Sequence, residues 1–496
     1  MKCKHLLFYF LTFLLFTSFL IGPAFAIEYT LVPGVIGIHT DMGTGVHSLE
    51  EIAERLDEKG IPVVIVTEHA LIRCEYGLFP LRRIVRKAFT EKSLLDYGVE
   101  NYLNYISRIN SSHPEMVILP GTEVVPFYYW TGSYFKTKDL TMHNWHKQFL
   151  VIGLNRAQDF KNLPMVSNPF SAHYTWRSIY LLWPFLPLVL GIWLIRKRRA
   201  QRLRFEDRLF TIPSHPHRIL GIIIIILSGL FLFNNFPLKI APYDQYHGDQ
   251  WEAPYQELID YVNKRDALSF WSLPEATTDV KRRGVRSYTP PFPKSLLATH
   301  NYSGFSAFYE GWRIVAKPGG IWDEILKEYC EGKRERPVWA IGEIDYRGGT
   351  GKKIDSVQTV FLIPQLNEEA VLDALRKGRM YALTKSQQGA LFLDSFVVKN
   401  NNKVALMGET LLSRDRPTIS IKVSRPAPEE GGIKIRLIRK GEIIKTFDVE
   451  DSEEIIYEDD YYKPEEKIYY RIDIAAPGSK IISNPIFVKF TPLETE

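Results

Sequence analysis

The sequence predicts an α/β fold that is interrupted midway by a pair of apolar helices and followed by a β-rich domain. Three observations carry this expectation. Over residues 27–175, and again over 239–389, short β-branched runs alternate with amphipathic stretches, the pattern of strands joined by helices in a parallel sheet. Between these halves stand two uncharged runs, 178–195 and 219–237. Beyond about Gly389 helical periodicity ends and β-branched runs recur at strand spacing.

Residues 1–26 read as a secretory signal. Lys2 and Lys4 lead, an apolar run over 6–21 follows, and Ala24-Phe25-Ala26 offers a small-x-small cleavage site. An uncleaved anchor is the other reading, because the apolar run is long. Val35-Ile36-Gly37-Ile38-His39 is a short apolar run ending at polar residues. Ser48 is placed to cap a helix over 49–59, with Glu51 as its capping-box partner. The run Pro62-Val63-Val64-Ile65-Val66 reads as a buried strand. A helix follows over 99–108, then strands over 116–119 and 149–152. Past the apolar pair come a helix over 254–264, a strand over 268–271, a helix over 322–330 and a strand over 338–341. A last helix over 368–377 is closed by Gly378. Strands over 418–423, 433–438, 443–449, 468–474 and 486–490 suggest a β-sandwich spanning 390–496.

Charge placement explains the apolar pair. Of 496 residues, 62 are Lys or Arg and 57 are Asp or Glu, a net +5. Between the two uncharged runs sit Arg196, Lys197, Arg198, Arg199, Arg202, Arg204 and Arg208, opposed there by Glu206 and Asp207. That surplus equals the charge of the whole chain. Each run has about the 17–25 residues a spanning helix needs, and a short basic link marks a cytoplasmic loop. Residues 176–238 are therefore expected to be a transmembrane hairpin, tethering the protein to the bilayer. Residues 27–175 and 239–496 then share the extracytoplasmic side. With Lys2 and Lys4 also set aside, everything else sums to −2, which excludes the spread basic face of a nucleic-acid binder. Two uncharged spans also offer no polar path for a transporter. With Cys3 inside the signal, Cys74 and Cys330 leave room for a single disulfide and exclude a disulfide scaffold.

Polar residues recur where the expected strands end. His39 and Asp41 follow the first, Thr67-Glu68-His69 the second and Gly121-Thr122-Glu123 the third. His143 and His146 precede the fourth, and Gly342-Glu343-Ile344-Asp345-Tyr346-Arg347 follows a later one. In closed parallel barrels this face assembles the active site, and His with carboxylate is a ligand set for Zn, Mn or Fe.

On these motifs the chain resembles the polymerase and histidinol phosphatase (PHP) family over roughly 34–390, with the apolar pair inserted. The family order is His-x-His, Thr-Asp-His, Gly-x-Glu, a His near the fourth strand, then His-Pro and a final Asp-x-His. Gly378-Arg379-Met380-Tyr381 is similar to the family's closing segment. The resemblance implies a distorted (β/α)7 barrel, a site of two or three divalent metals, and hydrolysis of phosphoesters. This chain departs from the pattern at four places: Gly37 replaces the first His, and Glu68 replaces Asp. Leu273-Pro274 stands for His-Pro, and Arg347 replaces the last His. What the resemblance leaves as metal ligands is His39, His69, Glu123, Asp345 and one or both of His143 and His146. That is enough for one cation or a poor pair. It further implies a proton-donating role for His69 or a neighbouring His, and phosphate contacts for Arg347 and Arg313. His300 is a candidate substrate contact. His247 and Asp249 stand just after the second apolar run and read as a loop turn.

Arg347 has two readings. A guanidinium binds phosphate bidentately and stays charged, so it can replace one cation's electrostatic role. Alternatively it pairs with Glu343 or Asp345 and the site is inert. The expected function is thus a membrane-tethered phosphoesterase acting on a phosphorylated small molecule. The alternative is an inactive PHP-like protein that binds a ligand or partner of the cell envelope.

Overall fold

The computed structural model describes residues 28–133, 140–205, 208–282, 284–349, 351–385, 391–425, 431–450 and 452–492. The expected signal over 1–26 lies outside them. β1 (Thr30–Ile38) leads through α1 (Leu49–Asp57) to β2 (Val63–His69), and α2 (Val99–Ser112) leads to β3 (Val117–Val124). These three strands pair in parallel. Val63, Val64, Ile65 and Val66 are all fully buried, as a strand covered on both faces requires. Ser48 caps α1 by accepting the Glu51 N–H at 3.2 Å. Only half of the expected capping box forms, because the Glu51 carboxylate turns to His47 Nδ1 at 3.1 Å instead.

The uniform parallel order expected from the sequence fails at the fourth strand. β4 (Gln148–Ile152) runs antiparallel to β3, pairing Gly121 with Ile152 and Val124 with Phe149. A parallel return needs a crossover, usually a helix. The described part of 125–147 contains no helix, only the short strands Tyr129–Thr131 and Thr141–His143. β5 (Leu268–Ser272) is antiparallel to β4, and β6 (Gly304–Phe308) and β7 (Trp339–Gly342) continue in parallel with β5. The order is β7-β6-β5-β4-β3-β2-β1, and the sheet curls. The segment after β7 comes back to β1. Ile344 N–H donates to the Ile36 carbonyl at 2.8 Å, Tyr346 N–H to that of Gly37 at 2.7 Å, and His39 N–H to that of Tyr346 at 2.9 Å. The carboxyl ends of β1, β2, β3 and β7 thereby meet at one rim.

Between β4 and β5 the chain forms a 3-10 turn, Trp176–Leu182, then α3 (Phe185–Arg196) and α4 (Arg218–Asn235). Two helical stretches, Trp176–Arg196 and Arg218–Asn235, are long and apolar enough to cross a membrane by length and composition. They pack on each other at Gly191 and Gly221. A Cβ on Gly191 would lie 2.9 Å from the Gly221 carbonyl oxygen, and one on Gly221 would lie 2.7 Å from that of Gly191; only small residues allow such an approach. Elsewhere their side chains, among them Leu186, Val189, Trp193, Ile219, Ile226 and Phe233, are exposed. The pair leaves and rejoins the body at one point, where His173 and Ile240 exchange backbone hydrogen bonds of 3.1 and 3.0 Å.

The rest of the body follows α5 (Ala253–Asn263), α6 (Ile321–Cys330) and β8 (Val357–Ile363), then α7 (Glu368–Lys377) and β9 (Met380–Thr384). β8 was not anticipated. Asn367 caps α7 by accepting the Ala370 N–H at 2.8 Å, and Gly378 closes it with φ +72°. β8 and β9 extend the same sheet past β1. Their alternating side chains serve two cores. Phe361, Ile363, Met380 and Ala382 face the first, and Val360, Leu362, Tyr381 and Leu383 face the second.

The C-terminal region is rich in strands. β10 (Phe392–Lys399), β11 (Thr410–Ser413), β12 (Thr418–Ser424), β13 (Ile433–Arg439) and β14 (Glu442–Val449) come first. β15 (Glu453–Glu458), β16 (Lys467–Ala476), β17 (Ser479–Ser483) and β18 (Ile486–Phe490) follow. The main sheet runs on from β9 through β17, β16 and β13 to β14, while β10, β12 and β15 belong to a second sheet. Side chains of both sheets meet in the second core, Phe396 and Ile421 with Ile435 and Ile472. Arg471 on β16 is fully buried and grips Asp323 of α6 through Nε at 2.8 Å and a terminal nitrogen at 2.6 Å. Cys74 and Cys330 are free thiols, so no bridge links them.

Candidate metal centre

Three strand ends supply the centre. His39 follows β1, His69 ends β2, and Glu123 is the residue paired with His69 across the β2–β3 register. Glu123 Oε2 lies 3.2 Å from His39 Nε2 and 3.4 Å from His69 Nδ1. Asp345 joins from the segment after β7, its Oδ1 3.5 Å from His39 Nε2. One ligand atom each from His39, His69 and Glu123 lies within 4.8 Å of the others. The two imidazole rings stand 4.9 Å apart.

Gly37 is tied to this geometry. It breaks the β1–β2 register with φ +93°, a region that favours glycine. A Cβ there would lie 2.9 Å from the Asp345 nitrogen and 3.0 Å from Glu343 Cγ. A histidine at this position would displace the segment that brings Asp345 to the rim. The departure at Gly37 and the position of Asp345 are therefore one structural fact.

Burial sets the protonation states. It holds His39 down to about 3, with Arg347 lowering it further and Asp345 opposing. It holds His69 down to about 4 against the pull of Glu123. Both rings are neutral, which leaves an imidazole nitrogen of each able to ligate. Burial raises Glu123, with His69 opposing. It pushes Glu68 up to about 7, although Thr40 donates to Glu68 Oε1 through its hydroxyl at 2.7 Å and its N–H at 2.5 Å. Glu343 is pushed up to about 8 by burial and by the Glu123 charge.

Among the described residues, the buried atoms at this rim without a hydrogen-bond partner include His39 Nδ1, Glu68 Oε2, Glu123 Oε1 and Glu343 Oε2. Buried polar groups are ordinarily satisfied, and an unmet carboxylate oxygen beside two neutral imidazoles suits a divalent cation. His39, His69 and Glu123 would hold it. Glu68, 3.9 Å behind His39 Nδ1, stands where a carboxylate orients a ligating histidine.

Arg347 enters the same cluster. Its Nε donates to Asp345 Oδ1 at 2.9 Å, and a terminal nitrogen lies 4.0 Å from Glu123 Oε2. Burial alone would raise the Asp345 carboxyl, but Arg347 and His39 outweigh it and hold the group below its usual range. Asp345 adopts φ +46°, a conformation that costs a non-glycine residue energy and recurs at functional sites. The guanidinium sits where the resemblance expects a ligand imidazole, so Asp345 is shared between a fixed positive charge and the cluster.

The other expected site residues scatter. His146 is exposed, and its backbone N–H donates to Thr289 Oγ1 at 3.2 Å. Its ring senses Glu123, Arg347 and Asp345, which sets it at the rim. His143 lies outside the cluster. It stacks on Tyr129 at 4.7 Å and meets Thr131 Oγ1 at 2.8 Å, because Thr141–His143 pairs with Tyr129–Thr131 in a separate small sheet. Arg313 is also elsewhere. Its guanidinium covers Trp312 at 5.3 Å, near Lys480, and its N–H donates to Glu275 at 3.0 Å. His300 is exposed, its N–H bonded to Gln256 at 2.9 Å. It precedes β6 and so lies toward the amino ends of the parallel strands, away from the rim.

Two residues outside the expected ligand set belong to the centre. Ser272 ends β5 and donates to Glu343 Oε1 at 2.7 Å. Glu343 directly follows β7. The signal was their position at strand ends, Ser272 just before Leu273-Pro274 and Glu343 just after Gly342.

No family model matches this sequence, and no curated protein matches it. Among solved structures, one that matches is a two-domain protein from Bacteroides vulgatus containing a predicted PHP-like metal-dependent phosphoesterase. It is 10% identical with a TM-score of 0.35, covering 93% of this chain and 95% of that one.

Proposed function

We propose that this chain is a metal-dependent phosphoesterase with a reduced PHP-like site, in which one divalent cation works beside one guanidinium. The observation that carries the proposal is the convergence of His39, His69 and Glu123 from three strand ends, with partnerless buried polar atoms around them. A bound Zn, Mn or Fe would supply Lewis acidity to the phosphoryl oxygens and activate water. Arg347 bonds Asp345 through Nε and presents its terminal nitrogens to substrate phosphate. With His69 holding the metal, the rim histidine His146 would give the leaving oxygen its proton. The substrate is a phosphorylated small molecule. In the same reading α3 and α4 cross a membrane, the basic link is cytoplasmic, and the body with its strand-rich C-terminal region is extracytoplasmic.

The bond between Arg347 and Asp345 favours a second reading, a domain that binds a ligand or envelope partner without turnover. Metal analysis of the purified protein, paired with assays on mono- and diester substrates, separates the two. The expected result is about one tightly bound transition metal per chain and metal-dependent hydrolysis. Both should be lost in His39→Ala and Glu123→Gln. A wild-type protein with neither metal nor turnover is a binder.

A further inference from the structure

A hairpin projects from the same rim as the metal centre. Its strands, Ile72–Gly77 and Arg86–Glu91, pair antiparallel, and the first begins three residues after His69. The inner strand is bolted to the body. Tyr128 Oη accepts the Glu75 N–H at 3.0 Å, Tyr246 Oη accepts that of Gly77 at 2.7 Å, and Trp130 Nε1 donates to the Glu75 carbonyl at 2.9 Å. The outer strand is held by its pairing with the inner one and by Arg86, which donates to Glu75 Oε2 at 2.8 Å. All six residues of Arg86–Glu91 are exposed, on both faces of the strand. Phe79 at the tip is 81% exposed, Val85 45% and Phe89 54%. A folded protein rarely leaves an apolar tip bare without a partner for it. Over 78–92 the chain also carries five basic residues, Arg82, Arg83, Arg86, Lys87 and Lys92, against one acidic residue, Glu91.

The tip is fixed to the end of an apolar helix. Arg83 N–H donates to Asn234 Oδ1 at 2.9 Å, and its guanidinium donates to the carbonyls of Asn235 and Phe236 at 3.3 Å and of Lys239 at 3.1 Å. The Asn235 and Phe236 carbonyls lie at the negative end of α4, a favourable place for a cation, and Leu238 N–H shares the first of them at 2.8 Å. Arg82 lies over the Tyr246 ring at 4.1 Å. Exposed aromatics, Tyr174, Trp176, Tyr180 and Phe236, surround the ends of the same two helical stretches. Aromatic rings so placed mark membrane–water interfaces.

We infer that the hairpin over 72–91 is an interfacial docking element, seated in the phospholipid headgroup layer at the point where α4 emerges. The inference rests on the tether proposed above. Phe79, Val85 and Phe89 enter the acyl boundary while Lys87 and Lys92 meet headgroup phosphates, the division of labour of amphipathic interfacial segments. The rim that carries His69 is thereby held beside the bilayer surface.

The test places one spin label per protein in full-length chains whose Cys3, Cys74 and Cys330 are replaced by Ser. Phe79→Cys, Ile226→Cys and Leu412→Cys are labelled and reconstituted into phosphatidylcholine–phosphatidylglycerol vesicles. The ratio of oxygen to aqueous nickel-chelate accessibility is read at each site. The docking element requires a ratio at position 79 severalfold above that at position 412, with position 226 higher still. If 226 is shielded but 79 behaves as 412 does, the docking element is overturned and the tether stands. If 226 also behaves as 412 does, the tether itself is overturned, and the docking element with it.

Discussion

Two sets of buried charges in this molecule have opposite characters. At the junction of α6 with β16, Arg471 donates to both oxygens of Asp323, to the Ala316 carbonyl at 3.1 Å and to Asp473 at 3.3 Å. Asp323 also accepts from Tyr469 Oη and from the Gly319 N–H, each at 2.8 Å, and Asp473 from Arg436 at 2.9 Å. The charge is taken up within the protein. At the rim, His39, Glu68, Glu123 and Glu343 each keep a buried atom without a partner. Burial shifts these groups toward their neutral forms. A satisfied set needs nothing further and serves structure; an unsatisfied set costs stability and is kept where a ligand completes it.

The largest expected effect breaks the satisfied set. Asp323→Ala should leave Arg471 charged and buried and cost about 3–5 kcal/mol in denaturant unfolding, with metal content unchanged in protein that still folds. A loss below about 1 kcal/mol would show that the network is not structural and collapse the contrast.

A comparable effect, reached only toward pH 8, tests the unsatisfied set. Glu343 keeps its proton in the folded state up to about 8, whereas the unfolded chain loses it near the ordinary carboxylate value. The unfolded state thus binds fewer protons over that window, and stability falls as pH rises through it. Glu343→Gln removes this titration. Its unfolding free energy should match wild type near pH 4.5 and exceed it progressively toward pH 8, by on the order of 5 kcal/mol for the full shift. A gap that did not change with pH would mean Glu343 is already ionised. His39 and His69 act at the other side, since their lowered values make stability fall as pH drops below the ordinary histidine range.

The smallest effect sharpens the comparison at Arg347, the guanidinium that bonds Asp345 at the rim. Arg347→Gln frees Asp345 and removes a positive charge beside the cation position. Titration calorimetry with Mn or Zn should show affinity gained by on the order of 1 kcal/mol, about fivefold. Weaker binding would instead assign the guanidinium a part in building the site.

Much of the rim was legible because strand ends announce themselves: a β-branched run such as Val63–Val66 stops, and a polar residue follows. His39, His69 and Glu123 converge for that reason. What stayed hidden depends on partners far along the chain. The constraint on Gly37 comes from Glu343 and Asp345, and Glu343 in turn meets Ser272 across 71 residues. His143 has a strand-end position like the others, yet Tyr129 and Thr131 draw it into a side sheet. The reversal of β4 goes with the lack of a crossover helix in the described part of 125–147 rather than with any property of Phe149-Leu150-Val151-Ile152. The basic hairpin escaped notice because the charge surplus at 196–208 already matched the net total.

The β8–β9 pair has a thermodynamic consequence of its own. Each strand is a party wall, with Phe361 and Met380 on one side and Leu362 and Tyr381 on the other. Cutting the chain near residue 389 would not release an independent module. It would bare the far side of that wall, so the catalytic candidate and the strand-rich region share one folding equilibrium.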